Sequence, residues 1–240
     1  MRKIYVLFLI TLASSVAFAQ TNSSKKKFDV TGRAGDHFLL QFSSDHWMGA
    51  PDSISNRIKG NSRGANVYVM LDKPFKSNPH FSVAFGIGIG TSSIFLDKMN
   101  ADITGRTAVL KFNTLDTVAR FNKYKISTAY AEIPLELRYF SNPENPNKAI
   151  KVAIGVKVGT LINAHTKGKT LVNASGTTTQ EYSNKATSKS YFNNTRLAAT
   201  ARLGYGNFSV FGAYNFTSIF KDNVAADMKL FQVGLTISGL

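Results

Sequence analysis

The 240-residue chain contains no cysteine. Disulfides, thiolate metal sites and lipid attachment through an N-terminal Cys are thereby excluded. Beyond residue 19 it lacks any long uncharged apolar run. A membrane-spanning helix, which needs about 20 apolar residues, is not expected there. Acids are scarce, with 14 Asp and Glu against 29 Lys and Arg, for a formal net charge of +15. Histidine is scarce too, and none of His37, His46, His80 and His165 stands in a zinc-type spacing. No metal site and no cofactor is expected.

The N-terminus indicates the compartment. Arg2 and Lys3 precede an apolar run from Ile4 to Ala13, and Ala17-Phe18-Ala19 supplies small residues at the two positions a signal peptidase reads. This pattern predicts a secretory signal over residues 1–19, cleaved after Ala19. The alternative, an uncleaved anchor, suffers from a run too short to span. Removing 19 of 240 residues leaves 221 and takes away Arg2 and Lys3, so the net charge falls from +15 to +13. In the cytosol such a balance would suggest nucleic acid. In an exported chain no nucleic-acid partner is expected, and anionic surfaces such as lipopolysaccharide phosphates replace it. A solvated basic surface without a dedicated partner is the blander reading.

Six segments alternate with period two, the pattern of strands rather than helices. Ala65, Val67, Val69 and Leu71 oppose Asn66, Tyr68, Met70 and Asp72. Phe81, Val83, Phe85, Ile87 and Ile89 oppose Ser82, Ala84, Gly86, Gly88 and Gly90. The same rhythm runs through 128–140, 151–162, 195–205 and 227–237, and less cleanly through about 37–47 and 208–219. Short connections at 76–79, 141–148 and 206–207 alternate strictly with longer polar ones at about 48–62, 97–125, 168–190 and 220–226. Short periplasmic turns alternating with long outer loops are the mark of an outer-membrane barrel. The expected fold is all-β: a closed antiparallel up-and-down transmembrane β-barrel of eight strands. Ten remain open, because Thr107 to Asn113 has an apolar-polar rhythm of its own. The expected layout is a signal peptide at 1–19, a periplasmic tail at 20–36 carrying Lys25-Lys26-Lys27, and a barrel at 37–240.

In lipid the apolar stripe faces out and the polar stripe faces in. Glu132, Glu136, Arg138, Lys157, Arg196 and Arg202 would then meet in the lumen as a polar network. Facing lipid, a basic side chain would cost about 2–4 kcal/mol near the midplane. Inward glycines suit a narrow, crowded interior. Trp47, Phe75, Phe81, Phe95, Tyr139, Phe140, Phe208 and Phe220 fall near strand ends, where interfacial aromatic girdles are expected. In a soluble exported ligand-binding barrel the faces would be reversed.

Asp45-His46-Trp47-Met48-Gly49-Ala50-Pro51-Asp52, Met70-Leu71-Asp72-Lys73-Pro74-Phe75, Glu132-Ile133-Pro134-Leu135-Glu136-Leu137-Arg138-Tyr139 and the final Gly234 to Leu240 carry a family resemblance. Across roughly 37–240 the chain resembles the PorT-like outer membrane β-barrel proteins of Bacteroidota. The resemblance implies a barrel in the outer membrane and allows an accessory role in secretion or envelope assembly. Its motifs are structural and imply no chemistry. It departs at Leu240, where many outer-membrane barrels end in an aromatic residue.

Candidate chemistry is sparse. Asp45 and His46 could form half of a hydrolytic dyad at the outer rim, although a polar pair beside Trp47 explains them as well. Glu132 and Glu136 could be a paired-carboxylate acid/base site, or part of a lumen salt-bridge network. Gly86-Ile87-Gly88-Ile89-Gly90 lacks the third spaced glycine and the following helix of a nucleotide loop, and it alternates as a strand. The chain is therefore expected to be a non-enzymatic envelope barrel. Its expected partners are outer-membrane lipid, lipopolysaccharide and envelope proteins reached through the long loops. A barrel enzyme acting on lipid or peptide at the outer rim is the first alternative, and the soluble barrel is the second.

Overall fold

A computed structural model describes residues 37–239. The signal segment at 1–19 and the basic tail at 20–36 lie outside the described residues. Eleven strands follow in order: β1 (Phe38–Met48), β2 (Arg63–Pro74), β3 (Phe81–Leu96), β4 (Met99–Ala101), β5 (Phe112–Thr114), β6 (Arg120–Phe140), β7 (Ile150–Val172), β8 (Thr178–Thr187), β9 (Thr195–Tyr205), β10 (Phe208–Asn215) and β11 (Lys229–Ser238). The one α-helix among the described residues, α1 (Asp52–Ser55), is a single turn in the β1–β2 loop.

Eight strands close a ring of antiparallel pairs. β1 pairs with β2, β2 with β3, β3 with β6, β6 with β7, β7 with β9, β9 with β10, and β10 with β11. β11 returns to β1, with Phe42 opposite Leu235. Ring closure satisfies the backbone of the eight ring strands without leaving an edge in the belt, which a bilayer requires. The eight-strand expectation holds. Of the Thr107–Asn113 stretch, only Phe112 and Asn113 are in a strand, β5, which pairs with β4 in a separate two-stranded sheet. β8 is no ninth ring member either, because it pairs only with the part of β7 beyond His165, above the β7–β9 pairing.

The turns follow the sequence signals. Phe75 N–H donates to Phe81 O across the first, and Ser141 N–H donates to Ile150 O across the second. Gly206 takes φ +58° in the third, a backbone that a side chain would strain. At the opposite end the loops are long, and β3, β6 and β7 run far into them with 16, 21 and 23 residues.

The exterior is the apolar surface. Val69, Leu71, Ile87, Ile133, Ile154, Leu203, Val210 and Leu235 are all more than half exposed. On β6 the outward apolar row runs from Ala129 to Tyr139. At about 3.3 Å per residue and ~40° tilt that row is roughly 25 Å tall, the height of an outer-membrane apolar band. This arrangement overturns the soluble alternative, which needs the same stripe inside. The girdle expectation holds for Phe75, Phe81, Tyr139 and Phe208, which are exposed, and in part for the half-buried Phe95. It fails for Trp47, Phe140 and Phe220, which are buried. Alternation explains Trp47 and Phe140: each falls on the inward parity of its strand, so it packs inside the barrel instead of in the lipid interface.

Candidate functional site: a polar lumen, an apolar cap and a cationic rim

The inward row of each ring strand changes chemistry along its length. On β6, Arg138, Glu136 and Glu132 give way to Tyr130, Ile126 and Tyr124. On β11, Thr236 and Gln232 give way to Leu230, and on β1, Gln41, Ser43 and Asp45 give way to Trp47. The switch coincides with a bulge in β6 at Ala129/Tyr130. Within the belt the barrel is polar inside. Beyond it, toward the long loops, it is apolar inside like a soluble protein.

The six predicted lumen residues meet inside. Glu132 Oε1 accepts from Arg196 Nη1 at 3.0 Å, while its Oε2 lies 3.2 Å from Lys157 Nζ and accepts from Tyr68 Oη. Glu136 accepts from Arg138 Nε at 2.8 Å and Arg202 Nη2 at 3.0 Å. Arg196 also stacks 3.9 Å over the Tyr130 ring. Each carboxylate is thus matched to its own cations, and the pair is no free acid/base couple.

Further members were not read as part of the lumen network from the sequence. Asp72 lies 3.7 Å from Arg138 Nη1 and accepts from Ser82 Oγ at 2.6 Å. Gln232 Nε2 donates to Asp45 Oδ1 at 3.0 Å. Lys151 is buried on β7. Their inward parity was the available signal. In all, five cations and four carboxylates share the interior among the described residues. The space left between Gln41, Tyr68, Glu136, Lys157, Arg202 and Phe211 is about 20 Å³, room for about one water. The glycines make the crowding possible. A Cβ on Gly88 would stand 2.4 Å from the Tyr68 ring, and one on Gly90 would stand 2.5 Å from Glu132 Oε2. No side chain fits opposite these bulky groups.

Above the network the loops fold into a cap with its own core. Trp47, Ile94, Leu96, Met99, Ile103, Leu110, Phe192, Phe220 and Met228 pack in one buried cluster. Phe220 stands at its centre, with ring centroids 5.1 Å from Phe192, 5.7 Å from Trp47 and 6.0 Å from Phe112. Tyr191 Oη donates to Gly105 O at 2.6 Å, tying the 97–119 loop to the segment before β9. At the other mouth Leu39, Tyr68, Met70 and Ala84 form a small apolar cluster.

Asp45 and His46 do not form a dyad. They are neighbours on a strand, so they point to opposite faces: Asp45 is buried in the lumen, while His46 faces out with Nε2 3.1 Å from Ser44 Oγ. His37 and His80 each put Nδ1 on a backbone oxygen, of Met70 and Phe140.

The outer wall above the belt carries a cluster that the sequence reading missed. On β6, β7 and β8, Lys123 sits opposite Lys169, Lys125 opposite Lys167, and Lys167 opposite Lys185. Among the described residues no salt bridge joins any of the five to an acid. Lys125 instead donates to Ser93 Oγ at 3.2 Å and approaches the Phe95 ring, which Arg63 also approaches. Like charges directly opposite one another destabilise a sheet. The clustering is strong enough to move a neighbour: burial, and then repulsion from Lys185, Lys125 and Lys167, push the His165 pKa below its ordinary value. The folded chain therefore binds this proton less well than the unfolded one. The cost to stability sets in as pH falls through the ordinary histidine range. Lys185→Gln is expected to move the His165 titration upward, read from imidazole NMR shifts. An unmoved titration would mean that Lys185 does not act on His165.

The model of the family described as Outer membrane protein beta-barrel domain matches residues 18–238. Among solved structures, Ail, the attachment invasion locus protein of Yersinia pestis, is similar at 12% identity. That match covers 85% of this chain and 97% of that one, with a TM-score of 0.31. A structure of Ail in complex with the heparin analogue sucrose octasulfate matches at 10% identity over 85% and 97% of the two chains, with a TM-score of 0.29. No curated protein matches this chain.

Proposed function

The chain belongs to this outer membrane β-barrel family and resides in the cell outer membrane, and on that premise we propose that it is a closed, non-enzymatic barrel that works through its outside. The observation that carries the reading is the double closure of the lumen. Ion pairs of Glu132 and Glu136 with four cations fill the interior, and the space left among Gln41, Tyr68, Glu136, Lys157, Arg202 and Phe211 is about 20 Å³. The Phe220-centred cap lies above it. Both layers are packed with side chains, and eight strands leave an interior just wide enough for side chains. Glu132 and Glu136 are each ion-paired with cations, and Asp45 and His46 are split between faces, so neither of the two candidate acid/base pairs is assembled.

In this reading residues 1–19 direct export, the long loops face outward, and the lumen network is a structural plug. The folded, basic cap is a rigid surface for anionic lipid, lipopolysaccharide or envelope proteins. Within the family we place the chain among the PorT-like proteins, on the Glu132-Ile133-Pro134-Leu135 strand, with an accessory role in secretion or envelope assembly.

The test is conductance of the purified barrel in a planar bilayer. No stable open events are expected across physiological voltages. Stable unitary openings of the wild-type protein would overturn the closed-barrel reading and make it a channel.

A further inference from the structure

The lysine cluster and the wall beneath it form one surface. Below Arg63, Lys125 and Lys167 the exterior of β2, β3, β6 and β7 holds a groove of about 1010 Å³, lined by Val67, Val69, Ile87, Ile89, Ile133 and Val158. It is followed by a second groove of about 490 Å³ beside Val83, Leu137 and Ile154 on the same wall. All these side chains belong to the outward apolar rows. The cations stand on the same strands farther toward the long loops. Arg63 is four residues above Val67, and Lys125 is four above Ala129, the top of the β6 apolar row. Four residues are about 13 Å along a strand and roughly 10 Å along the membrane normal at ~40° tilt. That is the level of lipid headgroups.

We infer that this wall is a binding site for a phosphorylated, multiply acylated lipid of the outer leaflet, with the phosphates held by Lys123, Lys125, Lys167, Lys169 and Lys185 and the acyl chains lying in the groove below. Three observations meet here. Among the described residues the cross-strand lysines face one another with no ion-paired acid, an arrangement that opposes folding until an anion neutralises it. Such a departure from local sheet rules marks a site of function. Ser93 and His165, both half-buried, lie among the lysines and add hydrogen-bonding groups within reach of phosphate oxygens. The groove continues the site downward into the hydrocarbon, where only acyl chains are available to fill it. A soluble polyanion would satisfy the lysines and leave the groove unused. A neutral lipid would do the reverse.

The inference deepens the outward-acting reading proposed above and has its own test. The folded protein in neutral-detergent micelles is titrated with lipid A carrying both phosphates, with the same lipid dephosphorylated, and with inositol hexakisphosphate. Retained ligand is read by native mass spectrometry. Bisphosphorylated lipid A is expected to bind at least ~30-fold more tightly than the dephosphorylated form, and K123Q/K125Q/K167Q/K169Q/K185Q is expected to lose that preference. Heat-modifiable gel migration confirms that the variant is folded, and K167Q/K185Q serves as a milder version with a partial loss. Ile89→Trp, which fills the groove, is expected to weaken lipid A and leave inositol hexakisphosphate unaffected. Equal binding of the two lipid forms, or unchanged binding by the lysine variants, overturns the site. Inositol hexakisphosphate binding as tightly as lipid A, with no effect of Ile89→Trp, overturns the lipid and leaves a soluble-polyanion site. Either failure leaves the conductance result untouched, so it is separable from failure of the closed-barrel reading.

Discussion

Glu132→Ala is expected to destabilise the folded barrel by about 3–5 kcal/mol, because it strands two buried cations. Lys157 and Arg196 are nearly inaccessible to solvent, and their carboxylate partner in the lumen is Glu132. Burying a charge without its counter-charge is among the largest single-residue penalties known. The loss should appear as a lower urea midpoint for the fast-migrating folded band in micelles. Replacing Glu132 and Lys157 together, by Gln and Met, should recover part of it, since the uncompensated charge falls from two to one. Removing Glu181, exposed on β8, should do nothing measurable. A Glu132→Ala midpoint equal to that of the wild type would mean that the network is solvated and that the lumen is open.

Phe220→Ala tests the other closure. The ring is 1% exposed and touches Trp47, Phe192 and Phe112. Its removal leaves a large cavity where the loops converge, at about 3–5 kcal/mol. The ring strands do not depend on that contact for their hydrogen bonds. The expected result is selective: the loops at 97–119 and 173–194 become open to protease added to intact cells, while the barrel still migrates as folded. Unchanged protease resistance would show that the loops are not held by this core. Loss of the folded band would show that cap and ring unfold as one unit.

The architecture was legible because period-two alternation maps directly onto the two faces of a strand. Val67 and Val69 against Tyr68 and Met70, or Ile133 and Leu135 against Glu132 and Glu136, assign their faces without any tertiary knowledge. The alternation of short and long connections then orders the strands around a ring. Glu132, Glu136, Arg138, Lys157, Arg196 and Arg202 were identifiable as interior for the same reason. Asp45, Asp72 and Lys151 obey the same parity and could have been read with them. Trp47 and Phe140 were misplaced because position near a strand end was weighed above parity.

Chain-local pattern therefore determined what each residue faces: lipid or interior, strand or turn, and hence the membrane and much of the lumen, while ring closure decided for eight strands over ten. Folding alone decided which residues meet across strands. That Glu132 pairs with Lys157 and Arg196 while Glu136 takes Arg138 and Arg202 depends on register. So does the placing of Lys125 opposite Lys167 and of Lys167 opposite Lys185, from strands separated in the chain. The cap is more distant still: Trp47, Phe112, Phe192 and Phe220 come from four separate segments. Alternation is a property of neighbours in sequence, whereas charge matching, cationic clustering and a loop core are properties of neighbours in space.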